Sequence, residues 1–317
     1  MRLRFAVGIS PAAMTYQAAV RLAAQVIPHR ARPASFHANP QGIFLPCGRK
    51  SLGFLKESFM DTQAIRAQMP TLVCGHVPSN VHRFKFQIFD GEPKVSILGL
   101  AVDPKPFDGK VIARTDEAIV VKTGRAEFAV LDRTLVTEVP DEGAKVHVEP
   151  YARRRFDGLR ADTPQKRIEQ TSDGHVYSVE TTVLGSAPAP LPIPKPRCPE
   201  LAALIEQLEQ LPAPGGFRRI THMLVDAGAR DFTWVDPTPA HIIQTPPAIG
   251  FTVSTGKFAG DVRVLYDRAA DQYVIELHRD GECVDRTEDV FFDDLGQVLE
   301  RLIDDGSWRR IQVRRLP

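Results

Sequence analysis

The chain has 317 residues, enough for two or three domains with cores of their own, and its 43% hydrophobic and 25% charged content excludes a fibrous or wholly disordered protein. No apolar run approaches the roughly 18 residues of a membrane span, and four scattered cysteines without a CxxC pair exclude a disulfide scaffold and point to a reducing cytoplasm. The net charge of +1 conceals a gradient: residues 1–60 hold eight Lys and Arg against one acid, a net +7, whereas residues 199–317 hold thirteen against twenty acids, a net −7.

The first sixty residues are rich in Arg and Ala and carry no acid before Glu57. They read as a basic, poorly ordered arm. The composition also suits an organelle leader, and a natural start at Met60 is a third reading. Within the arm, Tyr16–Val26 is expected to form a short helix ending before Pro28.

The first β signal is Arg83–Leu98. Polar and apolar residues alternate strictly from Arg83 to Ile88, Asp90-Gly91 is a tight-turn dipeptide, and Lys94–Leu100 is expected to return as the second arm of a hairpin. After Pro104 and Pro106 come four short strands: Lys110–Arg114, Ala118–Lys122, Glu127–Leu131 and Lys145–Glu149. Several short strands with polar turns in about forty residues predict a small SH3- or OB-like barrel. A later hairpin, Lys166–Gln170 with His175–Leu184 around Asp173-Gly174, is expected to join the same β region.

Ser186–Arg197 has proline at nearly every second position and reads as a semi-rigid spacer. Beyond it the period changes from 2 to 3.6. Leu201, Leu204, Ile205, Leu208 and Leu211 form a helical stripe opened by Pro199, and Phe217, Ile220, Leu224 and Val225 suggest a second helix. Strands follow at Asp231–Val235, Ile249–Val253, Val262–Tyr266, Tyr273–His278 and Val290–Phe292. A last helix carries Leu295, Val298, Leu299, Leu302 and Ile303 and is stopped by Gly306. Trp308–Leu316 is expected to be a final strand, with Arg310, Gln312 and Arg314 on one face. Its charges either protect a sheet edge or meet phosphate.

The predicted fold class is therefore α+β: a basic arm (1–60), a β-rich region with the small barrel (61–185), a proline linker (186–198) and an acidic domain (199–317) with an antiparallel sheet and flanking helices.

Gly109, Val111, Asp116, Val120-Val121, Gly124, Phe128-Ala129-Val130, Asp132-Arg133, Val139-Pro140, Gly143, Val146, Val148 and Tyr151 carry a pattern that resembles the KfrB domain of bacterial plasmid proteins. The likeness covers residues 109–151. Two polar positions of the family pattern, a glutamine and a histidine, hold Lys122 and Leu131 here. The resemblance implies a bacterial mobile genetic element, such as a plasmid, and a role in its maintenance. It implies no catalytic residues.

Nucleic-acid contact calls for cations beside aromatic rings. Lys122, Arg125, Arg133 and Lys145, with Arg153, Arg154 and Arg155 just beyond and Tyr151 beside them, are the candidates, together with the basic arm at residues 1–60. The −7 domain repels phosphate and suits a protein partner. For metal, Cys74, His76 and His82 form a weak C-x-H-x5-H candidate lacking a fourth ligand. Cys47 beside Arg49 and Lys50, with His37 as the nearest base, is a weak nucleophile candidate. No cofactor motif is present. The expected function is a non-enzymatic binding or accessory protein of a mobile element, contacting nucleic acid or a host protein. The alternative is an enzyme with an unfamiliar active site near Cys74–His82 or at the C-terminal sheet edge.

Overall fold

The computed structural model describes residues 60–317 apart from 82, 182, 184 and 186. The basic arm, its Tyr16–Val26 helix, the Cys47–His37 pair and His82 lie outside the described residues.

Among the described residues the fold is α+β, with two larger sheets and four α-helices. Helix α1 (Thr62–Leu72) was not foreseen from the sequence. Asp61 caps it, its carboxylate accepting the N–H groups of Gln63 at 2.9 Å and Ala64 at 3.1 Å. Ile65 and Met69, four residues apart, face inward. Pro70 lies in the last turn and hides the helical signal.

The first sheet runs β1 (Lys85–Phe89), β6 (Glu127–Asp132), β5 (Ala118–Lys122), β4 (Phe107–Arg114), β7 (Lys145–Glu149), β15 (Gln312–Arg315). Four of these strands match the expected set at 110–149. They do not close into an SH3- or OB-like barrel: β1 and β15 are the two free edges of an open sheet. The expected hairpin at Arg83–Leu98 is also absent. β1 instead lies parallel to β6, Lys85 opposite Glu127 and Phe89 opposite Leu131. This pairing buries Ile88 and Phe89 on opposite faces, which a hairpin with one wet face would not. The returning segment is split into β2 (Lys94–Val95) and β3 (Ala101–Val102), which pair with each other.

β8 (Gln165–Gln170) and β9 (Val176–Thr181) form the later hairpin, but as a separate two-stranded ribbon with nearly every residue exposed.

The second sheet is fully antiparallel in the order β10 (Arg230–Val235), β11 (Ala248–Ser254), β12 (Ala259–Asp267), β13 (Gln272–Arg279), β14 (Glu282–Val290). Helices α2 (Pro199–Gln210), α3 (Ile220–Asp226) and α4 (Leu295–Ile303) pack on one of its faces. There Leu201, Leu204 and Leu208 of α2 and Leu295, Leu299 and Ile303 of α4 meet Ile249, Phe251, Val264 and Ile275. The helical stripes read from sequence are the buried ones. The expected strand at Val290–Phe292 lies earlier, as β14, and Phe291 and Phe292 fall beyond its end.

Two features tie the first sheet to the rest. The last strand, β15, does not extend the acidic sheet; it pairs antiparallel with β7, Val313 opposite Val148. The proline stretch is not a free spacer either. Ala189 and Leu191 are buried, and the Leu191 N–H donates to Glu209 of α2 at 2.8 Å. No helix of the described residues is long and apolar enough to cross a membrane.

Candidate nucleic-acid interface

In an antiparallel sheet, residues directly opposite each other share a face. Applied to the antiparallel pairs of the first sheet, this rule sorts their side chains on either side of the β4 bulge, and β1 is placed by its parallel register with β6. One face carries Val111, Ile119, Val121, Ala129, Leu131, Val146, Val148 and Val313, a single apolar cluster. The other face is divided. Over β1, β6 and β5 it is apolar, and Met60, Ile65, Met69 and Val73 cover Ile88, Val120, Phe128 and Val130. Over β7, β15 and the first half of β4 it is polar and uncovered, whereas Ile112 and Ala113 at the far end of β4 pack with the α1 cluster. A helix about 10 Å wide spans two or three strands spaced about 4.8 Å apart, so α1 cannot reach the rest.

The uncovered half is cationic. Lys122 of β5 lies opposite Lys110 of β4, and Lys110 lies opposite Lys145 of β7. The three lysines thus occupy a row of cross-strand positions on three adjacent strands, with Lys122 at the border of the covered half. One register step on, His147 sits between Asp108 of β4 and Arg314 of β15. Glu149 and Gln312 follow, and they border an open groove of about 420 Å³ that also holds Arg154, Trp308 and Arg310. The track so drawn has six cations, Lys110, Lys122, Lys145, Arg154, Arg310 and Arg314, against three acids, Asp108, Glu149 and Asp226. All three acids are engaged: Asp108 lies 2.6 Å from His147 Nδ1, Glu149 pairs with Arg154, and Asp226 accepts from Arg218 at 2.8 Å. Among the described residues, Lys110, Lys145 and Arg314 make no ion pair. All three are exposed.

The residues singled out from sequence scatter around this face. Lys122 ends the lysine row and donates to the His76 carbonyl at 2.6 Å. Arg125 lies in the β5–β6 turn and bonds Asn80 Oδ1 at 2.8 Å. Arg133 donates to the Thr115 carbonyl at 3.1 Å. The arginine triplet separates into three environments. Arg153 is 1% exposed and cannot reach a phosphate. It pairs with buried Asp103 at 3.0 Å, donates to the Phe217 carbonyl at 3.1 Å and to the Gly185 carbonyl, and lies 4.5 Å from the Phe217 ring. Arg154 borders the groove, and Arg155 pairs with Asp157 at 3.1 Å. Cys74 is exposed in the turn after α1, and no cluster of three or more metal-ligating side chains occurs among the described residues.

Tyr151 is no stacking platform. Its ring packs against Trp308 at 4.7 Å and its hydroxyl donates to Asp226 at 2.8 Å. Asp226 also accepts from Arg218, whose other arm pairs with Asp304 and whose guanidinium lies 4.0 Å from the Trp308 ring. Burial pushes the Asp226 carboxyl up to about 6, against the pull of Arg218. Burial also holds the Tyr151 phenol well above its ordinary range, with Asp226 adding to it. On the neighbouring turn of α3, burial and then Arg153 and Arg219 push the His222 imidazole down to about 4.

The sequence reading named Lys145, Arg310 and Arg314 among its cations and missed Lys110. The missing signal was register: Lys110 and Lys122 become neighbours only once β4 and β5 are aligned, with a bulge between Val111 and Ala113. In comparisons with protein-family models, curated proteins and solved structures, nothing matches this chain.

Proposed function

We propose that this chain is a non-enzymatic nucleic-acid-binding accessory protein of a bacterial mobile element, and that the uncovered half of its six-stranded sheet lies against the phosphate backbone. The mobile-element setting is what the likeness of residues 109–151 to KfrB domains implies. The observation that supports the binding role is the row Lys122–Lys110–Lys145. Like charges directly opposite on a sheet are destabilising. A polyanion that neutralises them supplies a reason for the arrangement, and released counterions supply the affinity.

The strands of this face carry lysine, arginine, histidine, glutamine and carboxylates but no aromatic ring, and Trp308, in the groove at their end, is packed against Tyr151 and Arg218. Single-strand binders rely on rings that stack bases. This face therefore suits contact with the backbone of a duplex, with little sequence preference.

The test is fluorescence anisotropy of a labelled duplex and a labelled single strand with the full chain, at about 50 and 200 mM salt. Binding that weakens steeply with salt is expected, duplex preferred. The triple variant Lys110→Gln, Lys145→Gln, Arg314→Gln should lower the salt slope by roughly 0.9 for each cation that touches phosphate. The matching Lys110→Arg, Lys145→Arg variant should retain it. Absence of binding at low salt, or an unchanged slope in the glutamine variant, rejects the reading.

A further inference from the structure

A second surface of the opposite character lies on the acidic half of the chain. Between α2 and the β12–β13 turn is a groove of about 530 Å³. Tyr266 and Tyr273 form one wall, their rings 5.4 Å apart. Phe291 and Phe292, which follow β14, border it. These two consecutive phenylalanines are 52% and 54% exposed. Large exposed rings side by side mark contact surfaces rather than solvated ones.

The rim of the groove is anionic. Glu200 of α2 and Asp271 of the β12–β13 turn line it. Asp289, Asp293 and Asp294 flank the phenylalanines in the chain and make no ion pair among the described residues. The one cation present is instructive: Arg268 reaches over the groove and its Nη1 lies 3.6 Å from Glu200 Oε1, while its side chain stays 54% exposed. The protein thus already places a guanidinium of its own against a carboxylate of this aromatic-walled groove. Aromatic faces attract cations, most strongly when water is excluded.

We infer that this groove receives a lysine or arginine side chain from an extended, basic segment of a protein partner, displacing Arg268. The charge of the surroundings argues for a protein and against nucleic acid, because residues 199–317 carry a net −7. The basic sheet face and the acidic groove would then serve two different partners. This inference does not rest on the nucleic-acid reading.

The experiment uses the full chain and two fluorescein-labelled decapeptides, one alternating arginine and serine, the other alternating glutamine and serine. The arginine peptide should bind, and salt should weaken it. The double variant Phe291→Ser, Phe292→Ser changes only exposed side chains and should weaken binding by about tenfold, the scale of one lost cation–aromatic contact. Arg268→Ala should strengthen binding, because it removes the internal competitor. Lys110→Gln, Lys145→Gln should leave peptide affinity unchanged, which keeps this result separate from the nucleic-acid test. Equal binding of both peptides, full affinity in the serine variant, or weaker binding by Arg268→Ala overturns the inference.

Discussion

The Tyr151 hydroxyl donates to Asp226 at 2.8 Å, joining the segment after β7 to the end of α3. Arg218 closes the arrangement from below, between Asp226 and Asp304, with Trp308 on its face. Here a buried carboxylate, a phenol and a guanidinium hold the first sheet to the helices of the second. Such a cluster must stay paired, since each member is costly to bury alone.

Two groups of α3 oppose each other in pH. Asp226 is raised from 3.8 to about 6 by burial, so the folded state holds its proton more tightly than the unfolded chain. Its contribution is present below 3.8 and lost as pH rises through about 6. His222 is lowered from 6.5 to about 4, so its contribution is present above 6.5 and lost as pH falls toward 4. Relative to the parent, Asp226→Asn should make stability rise more steeply between pH 4 and 6, and His222→Phe should make it rise less steeply. A displacement of two pKa units corresponds to roughly 3 kcal/mol. Urea midpoints at both ends of the window check this, and parallel pH profiles for parent and variants would refute it.

Lys110 sits between Lys122 and Lys145, so reversing its charge should help the fold and harm the function. Lys110→Glu is expected to stabilise by about 0.2–1 kcal/mol, the scale of an opposite-charge cross-strand pair. The same change should reduce duplex affinity. Thermal melts and anisotropy on one preparation read both. A destabilised variant would show that the lysine row is not strained.

Arg153 and Asp103 form a fully buried ion pair, with side chains 1% and 2% exposed. Asp103→Leu leaves the guanidinium without its counterion and should cost about 3–5 kcal/mol. Adding Arg153→Met should recover much of that loss, since no unpaired charge then remains. Denaturant titration of the single and double variants measures the difference. Salt slopes for DNA should not change in the folded double variant, because Arg153 does not touch the surface.

Position 109 of β4 is glycine for a packing reason. A Cβ there would lie 2.5 Å from Val121 Cγ1 and 2.6 Å from the Lys122 carbonyl oxygen. Gly109→Ala must push β4 away from β5, at about 1–3 kcal/mol for overpacking. Because the displaced pair is also the one that aligns Lys110 with Lys122, duplex affinity should drop with stability. A melting temperature equal to the parent's would contradict this.

Much of the architecture was legible from residue type and spacing. Leucines at 201, 204 and 208 read as a helix face because they recur every three to four residues, and they are the buried face of α2. The runs at 110–114, 118–122, 127–131 and 145–149 read as strands, and each is one. Helix α1 escaped notice because Pro70 and a weak apolar stripe mask it. The triplet Arg153–Arg155 suggested a phosphate contact, yet its first member is buried, since nothing near it in the chain reveals the Asp103 fifty residues earlier. Likewise the alternation in Gln312–Arg315 marks an edge strand but not the sheet whose edge it forms.

Periodicity placed most of the helices and strands and the apolar side of each, because both depend on residues within one or two turns. The tertiary structure decided which strands are neighbours: β1 beside β6, β15 beside β7, and an open sheet in place of a barrel. It also decided the candidate site, because the lysine row exists only through cross-strand register. That register is set by burying Val111, Val121 and Val146 together, a long-range packing condition that no local pattern encodes.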